Sequence, residues 1–103
     1  YRHLVLRPRP GGGLTSARAA LETLYGRAVS DWRIDGDRFI WTIVVPPNTT
    51  ATAYVPALEG TIVQESGRPA EESDGVAPLQ RDEETAVYRV ASGTYTFVAA
   101  RGG

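Results

Sequence analysis

The sequence predicts an all-β fold: an antiparallel, jelly-roll-like β-sandwich of about eight short strands. Three observations carry that expectation. Short segments rich in Val, Ile, Thr, Trp, Tyr and Phe alternate apolar and polar residues, the period of two that a pleated strand imposes. Gly, Pro, Asn and Asp punctuate these segments at close intervals. The 103 residues are 42 % hydrophobic and 22 % charged, an ordinary globular composition with enough apolar surface for one core. Residues 1–103 are therefore expected to form a single domain.

The elements follow in order. His3-Leu4-Val5-Leu6-Arg7 is a short apolar run closed by Pro8 and Pro10. Proline cannot donate to a sheet ladder, so this strand ends there or lies on an edge. Gly11-Gly12-Gly13 reads as a turn, because it has neither the GxGxxG spacing nor the Gly-Lys-Ser/Thr ending of a phosphate cradle. Residues 14–25 carry two patterns at once. Leu14, Ala17, Leu21 and Leu24 recur at helical spacing ahead of a terminating Gly26, and local propensity leans that way. The same stretch also alternates as a strand, with Thr15, Ala17, Ala19, Leu21, Thr23 and Tyr25 on one face.

From Ala28 the pattern is unambiguous. Ala28, Ser30, Trp32 and Ile34 alternate with Val29, Asp31 and Arg33, and Asp35-Gly36-Asp37 supplies a hairpin turn. Phe39, Trp41, Ile43 and Val45 line one face of the return strand, which Pro46-Pro47-Asn48 breaks. Thr50 to Val55 is the next strand, with Ala51, Ala53 and Val55 on one face and Tyr54 on the other. Thr61 to Gln64 is a further short strand. Residues 65–84 read as a long polar loop, with Val76, Ala77 and Leu79 as a docking point within it. Thr85–Ala91 and Thr94–Ala100 close the chain as a hairpin turned at Ser92-Gly93, with Tyr95 and Phe97 sharing a face.

Composition excludes several chemistries. The chain has no Cys, no Met and no Lys, and a single histidine, His3. Without Cys there is no disulfide framework, thiolate zinc site or cysteine nucleophile, and one histidine cannot make a two-histidine metal site. Asp35-Gly36-Asp37 lacks the longer ligand series of a calcium loop. No motif implies a cofactor. His3 has no triad partners in a nucleophile elbow. Net charge is −1, which argues against a dedicated nucleic-acid binder, although residues 1–18 hold four arginines and no acid while residues 65–84 hold seven acids against two arginines. The bland reading of both stretches is a solvated strand edge and a solvated loop. No apolar run approaches the ~18 residues of a membrane-spanning segment.

An ordered set of motifs then points to a family. Tyr1-Arg2-His3-Leu4-Val5-Leu6-Arg7-Pro8-Arg9-Pro10, followed by Gly-Gly-Gly-Leu14-Thr15, resembles the opening of the C-terminal domain of bacterial α-L-rhamnosidases. Tyr25-Gly26, Ser30-Asp31-Trp32, the run Pro46 to Pro56 and the closing Ser92-Gly93-Thr94-Tyr95-Thr96-Phe97 continue the likeness along nearly the whole chain. The resemblance implies an antiparallel β-sandwich, and so a strand rather than a helix at residues 14–25. It implies a parent enzyme in which this domain follows an (α/α)6 barrel that hydrolyses terminal α-L-rhamnose with inversion. It also implies that the chain is cut from that parent near Tyr1, and that the barrel, and through it rhamnose-containing glycosides, are its partners.

An inverting hydrolase needs two carboxyl groups about 6.5–9.5 Å apart across a sugar. The pairs available, Asp35/Asp37 and Glu71/Glu72, sit in turn segments, so no catalytic residue is expected in this chain. His3 and Arg7, on the first strand, are candidate contacts to the barrel. Trp32, Trp41, Tyr54 and Tyr95 raise a carbohydrate-binding alternative, a sugar-stacking module. Core packing competes for both tryptophans, and Tyr54 is the best exposed platform, with Trp32 second. Asn48-Thr49-Thr50 matches a glycosylation sequon but reads as a turn in which Asn tolerates an unusual backbone.

Overall fold

The computed structural model describes residues 2–11 and 13–100. Tyr1 and Gly12, which figure in the expectations above, lie outside the described residues. The described residues form ten strands and one short 3-10 turn. In chain order the strands are β1 (Arg2–Leu6), β2 (Ser16–Thr23), β3 (Gly26–Asp35), β4 (Arg38–Val45), β5 (Thr49–Pro56), β6 (Gln64–Glu65), β7 (Arg68–Pro69), β8 (Val76–Arg81), β9 (Thr85–Val90) and β10 (Gly93–Ala100). They make a four-stranded sheet, β1-β5-β9-β8, and a six-stranded sheet, β2-β3-β4-β10-β6-β7. This is the β-sandwich that the alternation predicts.

The centre of the large sheet is the part the pattern specifies best. Gly36 and Asp37 are the two loop residues between the paired Asp35 and Arg38, and Gly36 takes a φ of 64°. The register sets Trp32 against Trp41 and Ile34 against Phe39, so the alternate residues of both strands enter the core together. Trp41, Phe39, Ile43 and Phe97 are fully buried. The aromatic rings of the core form a file: Trp32 lies 5.6 Å from Phe39, Phe39 6.0 Å from Trp41, Trp41 6.4 Å from Phe97, and Phe97 5.6 Å from Tyr88 of the facing sheet. Ser30 accepts the Trp41 indole N–H at 2.9 Å, so the one polar atom of that side chain is satisfied inside.

Five elements differ from the local reading. β9 and β10, expected as a hairpin, do not pair: β9 belongs to the four-stranded sheet and β10 to the six-stranded one, so Ser92-Gly93 carries the chain from one layer to the other. Residues 16–23 are strand β2, against the helical lean; eight registered pairs with β3 outweigh propensity. β1 is on an edge, as its prolines require, but it runs parallel to β5 in a sandwich otherwise antiparallel among the described strands. The long path through β2, β3 and β4 permits this, since parallel neighbours need a long crossover. Residues 61–63 are not strand. The polar stretch 65–84 is not one loop: it contains a tight β6–β7 hairpin, a 3-10 turn at Ala70–Glu72 and the edge strand β8, which pairs with β9 through an irregularity between Pro78 and Gln80. Of the docking point expected there, Val76 is buried, while Ala77 and Leu79 are exposed.

The two sheets differ in width, and one strand is left uncovered. Ala17, Ala19 and Leu21 pair with Trp32, Ser30 and Ala28, so they share the core-facing side of the large sheet. All three are nevertheless exposed, and so is nearly all of β2.

Candidate functional site

The parallel pairing of β1 with β5 builds a cleft on the surface. It sets Leu6 beside Ala53. One residue further, Arg7 meets Tyr54, and its guanidinium lies 3.9 Å from the centre of the ring. That is a cation–π contact on the outer face of the four-stranded sheet. The half-buried Tyr54 and the exposed Arg7 face a cleft of about 300 Å³ that Arg9, Gln80 and Asp82 complete. Asp82 Oδ1 is already engaged, accepting the backbone N–H groups of Glu84 and Thr85.

His3 stands on the same outer face. Its Nδ1 is 2.7 Å from the Thr50 hydroxyl and its Nε2 2.8 Å from the Thr52 hydroxyl. Both ring nitrogens are thus occupied by neighbours on β5, and no carboxylate holds the ring as a catalytic base would require. Two residues expected from the sequence, Arg7 and Tyr54, are therefore brought into contact, and His3 lies along the same strand. Trp32 is not with them. It is 4 % exposed and tilted against Phe39, so it offers no face to a sugar. The correction has a simple cause: the Asp-Gly hairpin pairs it with Trp41 on the core side. Tyr95 is likewise in the core.

The acidic candidates remain apart from any enclosed site. Asp35, Asp37, Glu71 and Glu72 are all exposed. Asp35 faces Arg38 at 3.6 Å and Glu72 faces Arg68 at 3.7 Å. Among the described residues no three His, Cys, Asp or Glu side chains are grouped to hold a metal ion, and no helix is long and apolar enough to cross a membrane.

One buried carboxylate escaped the sequence reading. Glu65 is 5 % exposed. It accepts hydrogen bonds from the Ser66 hydroxyl, from the Ser73 hydroxyl at 2.6 Å and from the Thr96 backbone N–H at 3.0 Å. Burial pushes its pKa up, but these three donors outweigh burial and hold it below the usual carboxylate range. A general acid needs the opposite shift, so the group is a structural clamp. The signal available in the sequence was Ser66-Gly67, a turn dipeptide directly after Glu65.

Comparison with known proteins follows the same lines. Residues 1–69 match the family model described as the bacterial α-L-rhamnosidase C-terminal domain. An α-L-rhamnosidase of Streptomyces avermitilis is 40 % identical over 98 residues, 94 % of this chain and 9 % of that protein. One of Formosa agariphila is 43 % identical over 56 residues, 54 % of this chain and 6 % of that protein. The chain thus spans less than a tenth of the length of either relative. The crystal structure of the Streptomyces avermitilis α-L-rhamnosidase complexed with L-rhamnose superposes with a TM-score of 0.78 at 36 % identity, covering 92 % of this chain and 8 % of that one. The α-L-rhamnosidase of Dictyoglumus thermophilum gives a TM-score of 0.78 at 32 % identity, covering 94 % of this chain and 11 % of that one.

Proposed function

Because the chain belongs to the bacterial α-L-rhamnosidase C-terminal domain family, we propose that it is the non-catalytic accessory sandwich of a longer glycoside hydrolase. In this reading it packs on the helical-barrel catalytic portion of the same polypeptide and stabilises it, and the parent removes terminal α-L-rhamnose from glycosides. One observation carries the non-catalytic part. The carboxylates a glycosidase would need are exposed on separate turns, and the single buried one among the described residues, Glu65, has its oxygens committed to Ser66, Ser73 and Thr96. Arg7, exposed at the end of an edge strand, is the interface contact this reading favours. The sugar-binding alternative rests on Tyr54 alone, with one ring face already under Arg7.

The test is an assay on an aryl α-L-rhamnoside. The isolated chain is expected to give no turnover above buffer, and the full-length protein that carries it to release the aglycone. Turnover by the isolated chain would overturn the non-catalytic assignment. A full-length protein inert on rhamnosides and active on another glycoside would overturn the substrate.

A further inference from the structure

We infer that the uncovered inner face of β2 is the seat on which the catalytic portion of the parent chain docks, through an apolar surface of its own. The inference rests on the accessory-domain reading and adds the face. In a sandwich, residues on the core side of a strand are covered by the opposing sheet. Here the opposing sheet ends at β1, and β2 overhangs it. Ala17, Ala19 and Leu21 lie on the core side by register, yet they face solvent. Leu21 is 47 % exposed, and Leu14, just before the strand, 49 %. A groove of about 360 Å³ runs between β1 and β2, with Leu6, Leu14, Ala17, Ala19 and the edge of Trp32 in it. It is continuous with the aromatic core, so a partner seated there extends that core.

One further fact chooses the occupant. More than nine tenths of the length of the rhamnosidases that this chain matches lies outside the match, so a large tethered partner is expected at high effective concentration. Of the arginines along the groove, Arg7 lies over Tyr54 and Arg18 is paired with Asp31 at 2.8 Å, so the exposed Arg9 is the charge left at its rim. A second copy would have to displace that tethered partner from free solution, which disfavours it. The small side chains of Ala17 and Ala19 leave a flat floor on which a helix or loop can lie close.

The experiment uses the full-length protein with Ala19→Arg or Leu21→Glu on the inner face, Ala20→Arg on the opposite face of the same strand, and a deletion of the whole domain. The inner-face variants are expected to speed proteolytic release of the domain by about tenfold, the scale of one lost interface anchor, and to lower the thermal midpoint of the catalytic portion toward that of the deletion. Ala20→Arg should do neither. In the isolated domain all three variants should melt like wild type, which separates docking from folding. If the deletion destabilises the enzyme and the inner-face variants do not, the face is wrong and the accessory reading stands. If the deletion changes nothing, the accessory reading itself fails. If the isolated domain dimerises with concentration and Ala19→Arg abolishes the dimer, the occupant is a second copy and the proposal is overturned.

Discussion

Glu65 is the residue on which the second half of the chain turns. Its oxygens tie the β6–β7 hairpin, the loop at Ser73 and the backbone of β10 into one knot. Its pKa lies below the ordinary value near 4.5, so the unfolded chain binds the proton more readily than the folded one. Its contribution to stability is therefore complete above that ordinary value and is lost as pH falls through the folded value. Chemical-denaturation midpoints should decline on acidification from neutral to about pH 3, and Glu65→Gln should flatten that decline. Glu65→Ala should cost about 1–3 kcal/mol at neutral pH, because the Thr96 N–H and two hydroxyls lose their acceptor in a buried place. A second residue-scale constraint lies nearby. The Tyr95 hydroxyl donates to the Ala91 carbonyl at 2.8 Å, and a β-carbon on Gly75 would lie 2.5 Å from that hydroxyl. Gly75 also holds φ 84°. Gly75→Ala should lower the thermal midpoint by an amount equivalent to about 1–3 kcal/mol, by strain and by displacing the phenol. An unchanged midpoint would mean the loop carrying Gly75 is not held against Tyr95.

At the scale of elements, the strands legible in the sequence are those with strict alternation and an unambiguous turn: β3, β4, β5, β9 and β10. Their neighbours were hidden for separate reasons. β2 is rich in Ala, whose helix propensity masks a strand held by pairing with β3 rather than by its own residues. β6 and β7 are two residues each, too short for any period to show, and their Ser66-Gly67 turn falls within a long polar run of sequence. β8 contains Pro78 and no alternation, which an edge strand tolerates. The candidate site was half legible: Arg7 and Tyr54 were each identifiable from the chain. Their contact was not, because it depends on a parallel pairing between strands far apart in sequence. The same hierarchy predicts local stability. Amide exchange should be slowest in β4 and β10, flanked on both sides, and fastest in the outer edge of β2, whose other face and free edge both meet solvent. Protection in β2 equal to that in β4 in the isolated chain would show that the overhang is already covered, for example by self-association.

At the scale of the whole molecule, the question is whether the two sheets unfold as one. The described core is contiguous. Phe97 contacts Trp41 in its own sheet, Tyr88 in the facing sheet and Tyr95 on its own strand. Removing its ring takes support from both layers, and large-to-small changes of buried aromatics cost about 3–5 kcal/mol. Small domains have only about 5–15 kcal/mol in total, so Phe97→Ala should take about a fifth or more of the margin. It should do so in a single transition, seen alike by tryptophan fluorescence and by far-ultraviolet circular dichroism. Leu24→Ala is the contrasting variant: Leu24 is 97 % exposed, and its loss should leave the isolated chain within about 0.5 kcal/mol of wild type. The tryptophans report on the large sheet alone, whereas the far-ultraviolet signal reports on both sheets. Two separated transitions in Phe97→Ala would therefore mean that the sheets are distinct folding units, and residues 1–103 would not be one domain. A cost no greater than that of Leu24→Ala would mean that the aromatic file does not hold the sandwich together.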